Sequence, residues 1–342
     1  LINGIADIEN VMVAEKDGQF ADAIRYLDDA FTTSEIPPQA LRILVRACER
    51  TGQTRRSVAA LETLTERDPS NFEAVMTLAK HYRNLDWVKT RKYAMRAERL
   101  VPEDLEARTL RWEAQIKTTG SDQTGQDILR RMESDIDALL QLHPENGPLC
   151  VLRAGIYYRL GLQDKALTQL ENCVSACHPD PAVDIALVNL LAQTAQTDRA
   201  REVCQQAVSR HPTSADPVLR LVELNRNTQS STEITAILEK ATETLSGEER
   251  NKVRYLLARQ YVAQKKHPAE IDLLTSLAAE KPDNIGPKLL LLDLPDVRKN
   301  QRLAQEYVDD IKRIEGPRRG IYWRLKQVAV WQQGEDWRRQ QD

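Results

Sequence analysis

The 342-residue sequence contains few turn-forming residues, few aromatic residues and no long apolar run. Glycine (13) and proline (15) together fall below the roughly 12% of average usage, which argues against a β-sandwich, a β-barrel or a long flexible linker. Aromatic residues make up only 5% of the chain, whereas charged residues make up 29%. No stretch of about 18 uncharged apolar residues occurs, so the sequence predicts no transmembrane helix. The composition instead favours a helix-rich chain with a large solvated surface.

The charge balance does not favour a strongly charged partner. Lys plus Arg (48) against Asp plus Glu (51) leaves a formal net charge of −3. So small a net charge neither requires nucleic acid nor predicts an acidic membrane surface as the partner. The sequence begins at Leu1 and ends at Asp342 within a predicted helix, and we interpret it as a segment of a longer chain.

Helix breakers recur at nearly constant intervals. Glycines such as Gly18, Gly52 and Gly161 mark weaker interruptions between them, as expected where a helix ends in the left-handed conformation. A proline cannot continue a preceding helix, and an acidic or hydroxyl residue beside it can cap the next one. The pattern predicts units of about 34 residues, each made of two antiparallel helices. Apart from one interval of 42 residues, the breakers are 33 to 35 residues apart: Pro69, Pro102, Pro144, Pro179, Pro212, Gly247, Pro282 and Pro317.

Small and large residues also recur at matching positions within the units. Val151, Ala154, Gly155 and Tyr158 follow one spacing in a first helix, and Ala followed by a large residue and a second Ala recurs in second helices. Small residues let two helix axes approach, and the larger residue fills the space opposite. The pattern resembles the tetratricopeptide repeat. The second-helix sets are Ala23, Leu27 and Ala30, and Ala200, Cys204 and Ala207.

The resemblance implies an all-α, right-handed superhelical solenoid of helix-turn-helix repeats. It further implies that first helices line a concave groove and that each hairpin packs on the hairpins before and after it. We expect a polar loop at 118–125, a short or bent first helix before Pro295, and an inter-helix turn at Gly334. One continuous array is predicted over 1–342, with approximate units 1–36, 37–69, 70–102, 103–144, 145–179, 180–212, 213–247, 248–282, 283–317 and a partial unit 318–342.

Aligning the first helices by the repeat phase predicts a set of groove residues rich in arginine. Arginine forms bidentate pairs with carboxylates, so this set predicts a protein or peptide partner whose extended or helical segment carries acidic residues. The predicted partner-binding residues are Tyr82, Arg83, Arg153, Arg159, Asn189, Arg220, Arg226 and Arg259.

No cluster of residues predicts catalysis, a cofactor or a metal. Cys173, Cys177 and His178 come nearest to a metal site, but a zinc site normally needs four ligands and no second cysteine pair exists. Neither a glycine-rich phosphate loop nor a nucleophile motif occurs. We therefore predict no enzymatic activity, no cofactor and no metal, and we interpret the cysteines as small core residues.

Aromatic and basic residues gather near the end of the sequence, where Tyr322, Trp323, Trp331 and Trp337 lie beside several arginines. Such a segment can bind single-stranded nucleic acid by stacking and phosphate contacts. Packing of Trp323 and Trp331 within a helix pair explains them more simply, so we expect no nucleic-acid partner.

These observations predict a non-catalytic scaffold that binds a partner segment in its groove. Two alternatives stay open: a periplasmic scaffold of an exopolysaccharide or secretion apparatus, and repeats that recruit substrate for a catalytic domain outside this segment. The five cysteines, an odd number, favour a reducing compartment and hence the cytoplasm over the periplasm.

Overall fold

A computed structural model describes residues 10–31, 36–176, 180–226, 228–264, 266–318 and 320–339. Within these ranges the chain is helical without any β-strand, which confirms the all-α fold class. Residues 10–16 are helical and precede the first labelled helix. The helices are α1 (Phe20–Ala30), α2 (Pro38–Arg50), α3 (Thr54–Arg67), α4 (Phe72–Tyr82), α5 (Trp87–Leu100), α6 (Leu105–Thr118), α7 (Gln123–Leu142), α8 (Gly147–Arg159), α9 (Gln163–Ala176) and α10 (Pro181–Gln193). They continue as α11 (Thr197–Arg210), α12 (Asp216–Asn225), α13 (Ser231–Thr244), α14 (Gly247–Ala263), α15 (His267–Glu280), α16 (Ile285–Leu291), α17 (Pro295–Lys299), α18 (Gln301–Glu315) and α19 (Tyr322–Arg339).

Short polar side chains begin many of these helices, next to the breakers that the sequence contains. The Asp104 carboxylate accepts a hydrogen bond from the Ala107 amide at 2.7 Å at the start of α6. At the start of α13, Ser230 and Glu233 form a reciprocal capping box. Each such cap satisfies backbone amides that have no partner within the helix, so the sequence fixes where the helix begins.

Left-handed residues end helices at the turns inside the hairpins. Gly18, Gly52 and Gly161 have φ values of +74°, +76° and +79°, which confirms their predicted role. Ala195 occupies the corresponding turn after α10 with a φ of +61°, where a Cβ atom makes the backbone conformation unfavourable.

Residues 79–264 form one compact unit, here called the central unit. Alternate helices pack side by side within it: α6 on α8, α8 on α10, and α10 on α12. We call these four helices, together with α14 as the next first helix of the predicted repeat, the first-helix row. Each of α8, α10 and α12 also packs on the helix that follows it in the chain. Ala154, Ala166 and Ala200 are almost fully buried at these contacts, and their small side chains allow the close approach of the helices.

Residues 1–78 and 265–342 form a second compact unit, here called the terminal unit. Ala21 of α1 shares an apolar core with Val308 and Ile311 of α18, and α1 packs directly on α18. The Gln53 side-chain amide donates to the Ile314 carbonyl at 3.2 Å across 261 residues of sequence. The expectation that each hairpin contacts only its sequence neighbours is therefore wrong in this unit, because α1, at the start of the chain, packs on the apolar face of α18.

Three local expectations have different outcomes. The polar loop predicted at 118–125 is limited to 119–122, since Asp122 caps α7 and the extra residues lengthen that helix to 20 residues. The first helix before Pro295 is short, as predicted: α16 has 7 residues and α17 begins at the proline. The turn predicted at Gly334 is wrong, because α19 continues to Arg339.

Candidate functional site

Three of the predicted binding residues lie on two neighbouring helices of the first-helix row. Asn189 is half-buried on α10, while Arg220 and Arg226 lie on α12 and at its C-terminal end. Arg226 is exposed and has no ion pair with any described residue. Arg220 pairs with Glu223, which is 63% exposed, at 2.6 Å one turn along the same helix. Arg220 itself is 20% exposed, but water screens the pair on the Glu223 side, so an incoming carboxylate can replace Glu223 as the partner of Arg220.

The two predicted residues on α8 already have intramolecular partners. The Arg153 guanidinium pairs with Asp137 of α7 at 2.8 Å and donates to the Gln169 side chain of α9 at 2.6 Å. Arg159 donates to the Thr119 carbonyl, just beyond the end of α6. These contacts tie α8 to three other helices, so both arginines stabilise the packing of the central unit.

Arg259 lies on α14 and is exposed. No ion pair with a described residue holds its guanidinium. Val262, one turn further along the helix, is 43% exposed. Together they present an apolar and a cationic side chain on one turn of α14.

Tyr82 and Arg83, at the end of α4, contact α5 and α6. The Tyr82 ring stacks on Tyr93 with centroids 5.8 Å apart, and the Lys89 ammonium lies 4.4 Å from the centroid of the Tyr82 ring. The Arg83 guanidinium forms two contacts with the Glu113 carboxylate, at 2.9 and 3.1 Å. Arg83 must therefore exchange a bidentate partner before it can bind an external carboxylate.

A basic surface on α5 was not predicted from the sequence. This helix carries five Lys or Arg residues and one Glu within its 14 residues. The Glu98 carboxylate points to α6, where it contacts Arg111 at 2.5 Å and Arg108 at 3.7 Å. The opposite side of α5 lines an open trough of about 450 Å³. Six residues line the trough, and we call them the α5 surface: Val88, Arg91, Lys92, Met95, Arg96 and Arg99.

Comparison with known proteins identifies the fold. No protein-family model matches the sequence, and a comparison with curated proteins finds no match. The chain is similar to the solved structure of a tetratricopeptide repeat protein from Parabacteroides merdae, with a TM-score of 0.52 at 14% identity over 75% of this chain and 99% of that one. The chain has the tetratricopeptide-repeat fold. A thermophilic tetratricopeptide repeat protein from Thermus thermophilus is 20% identical over 55% of this chain and 98% of that one, with a TM-score of 0.43.

A buried carboxylate and a buried histidine, together with a more exposed arginine, join consecutive helices of the repeat array. Asp184 on α10 contacts the His211 ring nitrogen Nε2 at 2.6 Å and the Arg210 guanidinium at 2.7 Å. Both Asp184 and His211 are nearly inaccessible to solvent, at 3% and 6% exposure of their side chains. Arg210 is 35% exposed and screens the buried Asp184 carboxylate from one side, so the three residues stabilise the contact between α10 and the end of α11.

The described cysteines belong to the apolar core. Burial raises the pKa of the Cys48 and Cys204 thiols to about 12, which disfavours the thiolate needed for metal binding or nucleophilic attack. Cys150 and Cys173 lie in one buried cluster. Cys177 and His178 lie outside the described residues, within which no group of three or more potential metal ligands occurs.

The aromatic residues near the C-terminal end have mixed environments. Tyr322 and Trp323 pack against the core that α1 and α18 share, and cations of Lys312 and Arg324 lie 4.9 and 4.8 Å from the centroid of the Trp323 ring. Trp331 is 64% exposed. The side chain of Trp337 lies outside the described part of the chain. No described helix combines the length and apolar character needed to cross a bilayer.

Proposed function

We propose that this repeat array is a non-catalytic scaffold that holds a segment of a partner protein along its first-helix row. The observation that carries the proposal is the accessible polar strip on α10 and α12, where Asn189 and Arg226 lie on helices that already pack against each other. A preformed surface of this kind binds by many modest contacts and needs no deep pocket.

The chemistry of the strip favours an acidic partner segment. Arg226 and Arg259 are exposed without an ion pair among the described residues, and Arg220 has only a weak partner in Glu223. A guanidinium binds a carboxylate through two parallel hydrogen bonds, so accessible arginines suit aspartate or glutamate residues of an extended or helical peptide. Arg153 and Arg159 belong to the same proposed surface and contribute there by holding α8 in place, while Tyr82 and Arg83 hold the end of α4 against α5 and α6.

Selection from a random peptide library tests the proposal, because it identifies ligands without assuming the sequence of the partner. A displayed library of random peptides is selected on the immobilised chain, and the affinities of the enriched peptides are measured by fluorescence anisotropy. We expect acidic peptides whose binding weakens about tenfold when Arg226→Glu and Arg259→Glu are combined, because each reversal turns an attraction into a repulsion.

The matched control reverses two exposed lysines on second helices, Lys165→Glu on α9 and Lys240→Glu on α13. This control makes the same change in net charge elsewhere on the central unit, so it should leave the affinity unchanged. Enriched peptides that bind both variants equally well would overturn the assignment of the first-helix row.

A further inference from the structure

The α5 surface carries positive charge that the described carboxylates leave largely unneutralised. Arg91, Lys92 and Arg99 form no ion pair with a described residue, and no acidic side chain lines the trough. The one carboxylate of the helix, Glu98, forms ion pairs with arginines of α6 on the opposite side of α5 from the trough. These three cations therefore lie side by side along the trough, where their mutual repulsion favours a bound anionic partner.

Apolar side chains lie between these cations. Val88 and Met95 are seven residues apart and so lie two turns apart on the same face of α5, at a distance of about 10 Å along the axis. Val88 is 71% exposed, and Leu85 in the preceding turn is 72% exposed. Lys92 lies between Val88 and Met95 on that face, and Arg99 lies one turn beyond. Exposed apolar side chains that alternate with cations are typical of a surface that binds an amphipathic segment.

We propose that the α5 surface binds an acidic amphipathic helix of a partner protein, with apolar residues of that helix on Val88 and Met95 and its carboxylates on the surrounding cations. This site is distinct from the first-helix row, because its trough is lined by residues of α5 alone and α5 is not one of the helices of that row. The partner is a protein segment because the lining contains no aromatic ring on which nucleic-acid bases stack. The two apolar residues of the lining also form too narrow an apolar stripe to insert into a bilayer.

A designed peptide tests this proposal directly. The probe is a fluorescein-labelled helical peptide with leucine at i, i+3 and i+7 positions and glutamate at most others. We expect anisotropy to report binding that weakens about tenfold in the double variant Lys92→Glu and Arg99→Glu, and that weakens as salt rises from ~0.05 to ~0.5 M. Both residues are exposed, so these changes leave the fold intact, which circular dichroism verifies.

Two control peptides and one further variant separate charge from apolar contact. A peptide with serine in place of leucine, and the variant Val88→Ser, should each weaken binding several-fold, since each removes apolar contact but no charge. A peptide with lysine in place of glutamate should not bind. The control variant Lys165→Glu and Lys240→Glu should bind the acidic probe as the original chain does.

Three results would overturn the proposal. One is equal binding of the acidic probe to the original chain and to the Lys92→Glu and Arg99→Glu variant. Another is no effect of replacing leucine by serine. The third is a higher affinity of the α5 surface for phosphatidylserine vesicles or for a single-stranded oligonucleotide than for the acidic probe. The variant Arg226→Glu and Arg259→Glu, which tests the first-helix row, should bind this probe normally, so the two proposals fail independently.

Discussion

Replacing Arg56 by Gln should destabilise the terminal unit strongly. The Arg56 guanidinium pairs with the Asp28 carboxylate of α1, whose side chain is 2% exposed, and it also donates to the Glu315 carbonyl of α18 at 3.1 Å. One side chain of α3 thus connects α1 with the end of α18.

The expected magnitude follows from burial. Removing one partner of a buried ion pair costs about 3–5 kcal/mol, because the remaining charge stays in a low-dielectric environment. Arg56 is 19% exposed and water can replace part of its interaction, so we expect about 3 kcal/mol for Arg56→Gln. Adding Asp28→Asn removes the buried charge, and the double variant should therefore lose less than the sum of the single losses.

Urea unfolding followed by tryptophan fluorescence and circular dichroism measures the loss. The matched control is Arg313→Gln, which removes an ion pair with Asp283 at 3.2 Å whose side chains are 52% and 35% exposed. That exposed pair should contribute less than about 1 kcal/mol. A loss for Arg56→Gln no larger than the loss for Arg313→Gln would refute the argument that this arginine connects buried elements.

Three further predictions concern backbone strain, pH and thiol reactivity. Ala195→Gly should raise the unfolding free energy by about 0.5–1 kcal/mol, because it relieves a φ of +61°, while Gly161→Ala at a φ of +79° should lower it by a similar amount; thermal melts of the two variants check both signs. Burial raises the pKa of the Glu315 carboxyl above its ordinary value of 4.5, although amides of residues 321–323 donate to it and partly oppose the shift. The excess stability of the original chain over Glu315→Gln should thus be largest below pH 4.5 and fall as the pH rises through the raised pKa, and an excess that grows with pH in urea titrations would contradict this sign. Cys48 and Cys204 should resist a thiol reagent at pH 8 in the native chain and react after unfolding, because burial raises the pKa of each thiol to about 12; peptide mapping after labelling distinguishes the two states.

Much of the helical architecture could be predicted from local sequence. Prolines such as Pro69 and Pro212 lie in turns between helices, and Gly161 ends α8 in the left-handed conformation. These residues act through their own backbone preferences, so the helix ends that they cause can be predicted from the local sequence. The residues that lengthen α7 were predicted as a loop because polar residues around Gly120 and Gly125 hid the cap at Asp122.

Contacts between distant segments could not be predicted in the same way. Gln53 and Ile314 are 261 residues apart, and no local pattern in either segment indicates the other. The intramolecular partners of the predicted binding residues could not be predicted either, since the pair between Arg153 and Asp137 depends on the length and direction of α7. The α5 surface was missed for another reason: a whole-chain net charge of −3 conceals five basic residues on one helix.

Site-specific photocrosslinking can show which helices a bound partner segment lies on. A benzophenone amino acid placed at Asn189 on α10 lies within the first-helix row, and the same amino acid at Lys165 on α9 lies on a second helix. With an acidic peptide from the library selection bound, we expect crosslinks from position 189 and almost none from position 165. Crosslinks mainly from position 165, or equal yields from both, would contradict a scaffold that holds its partner along the first helices.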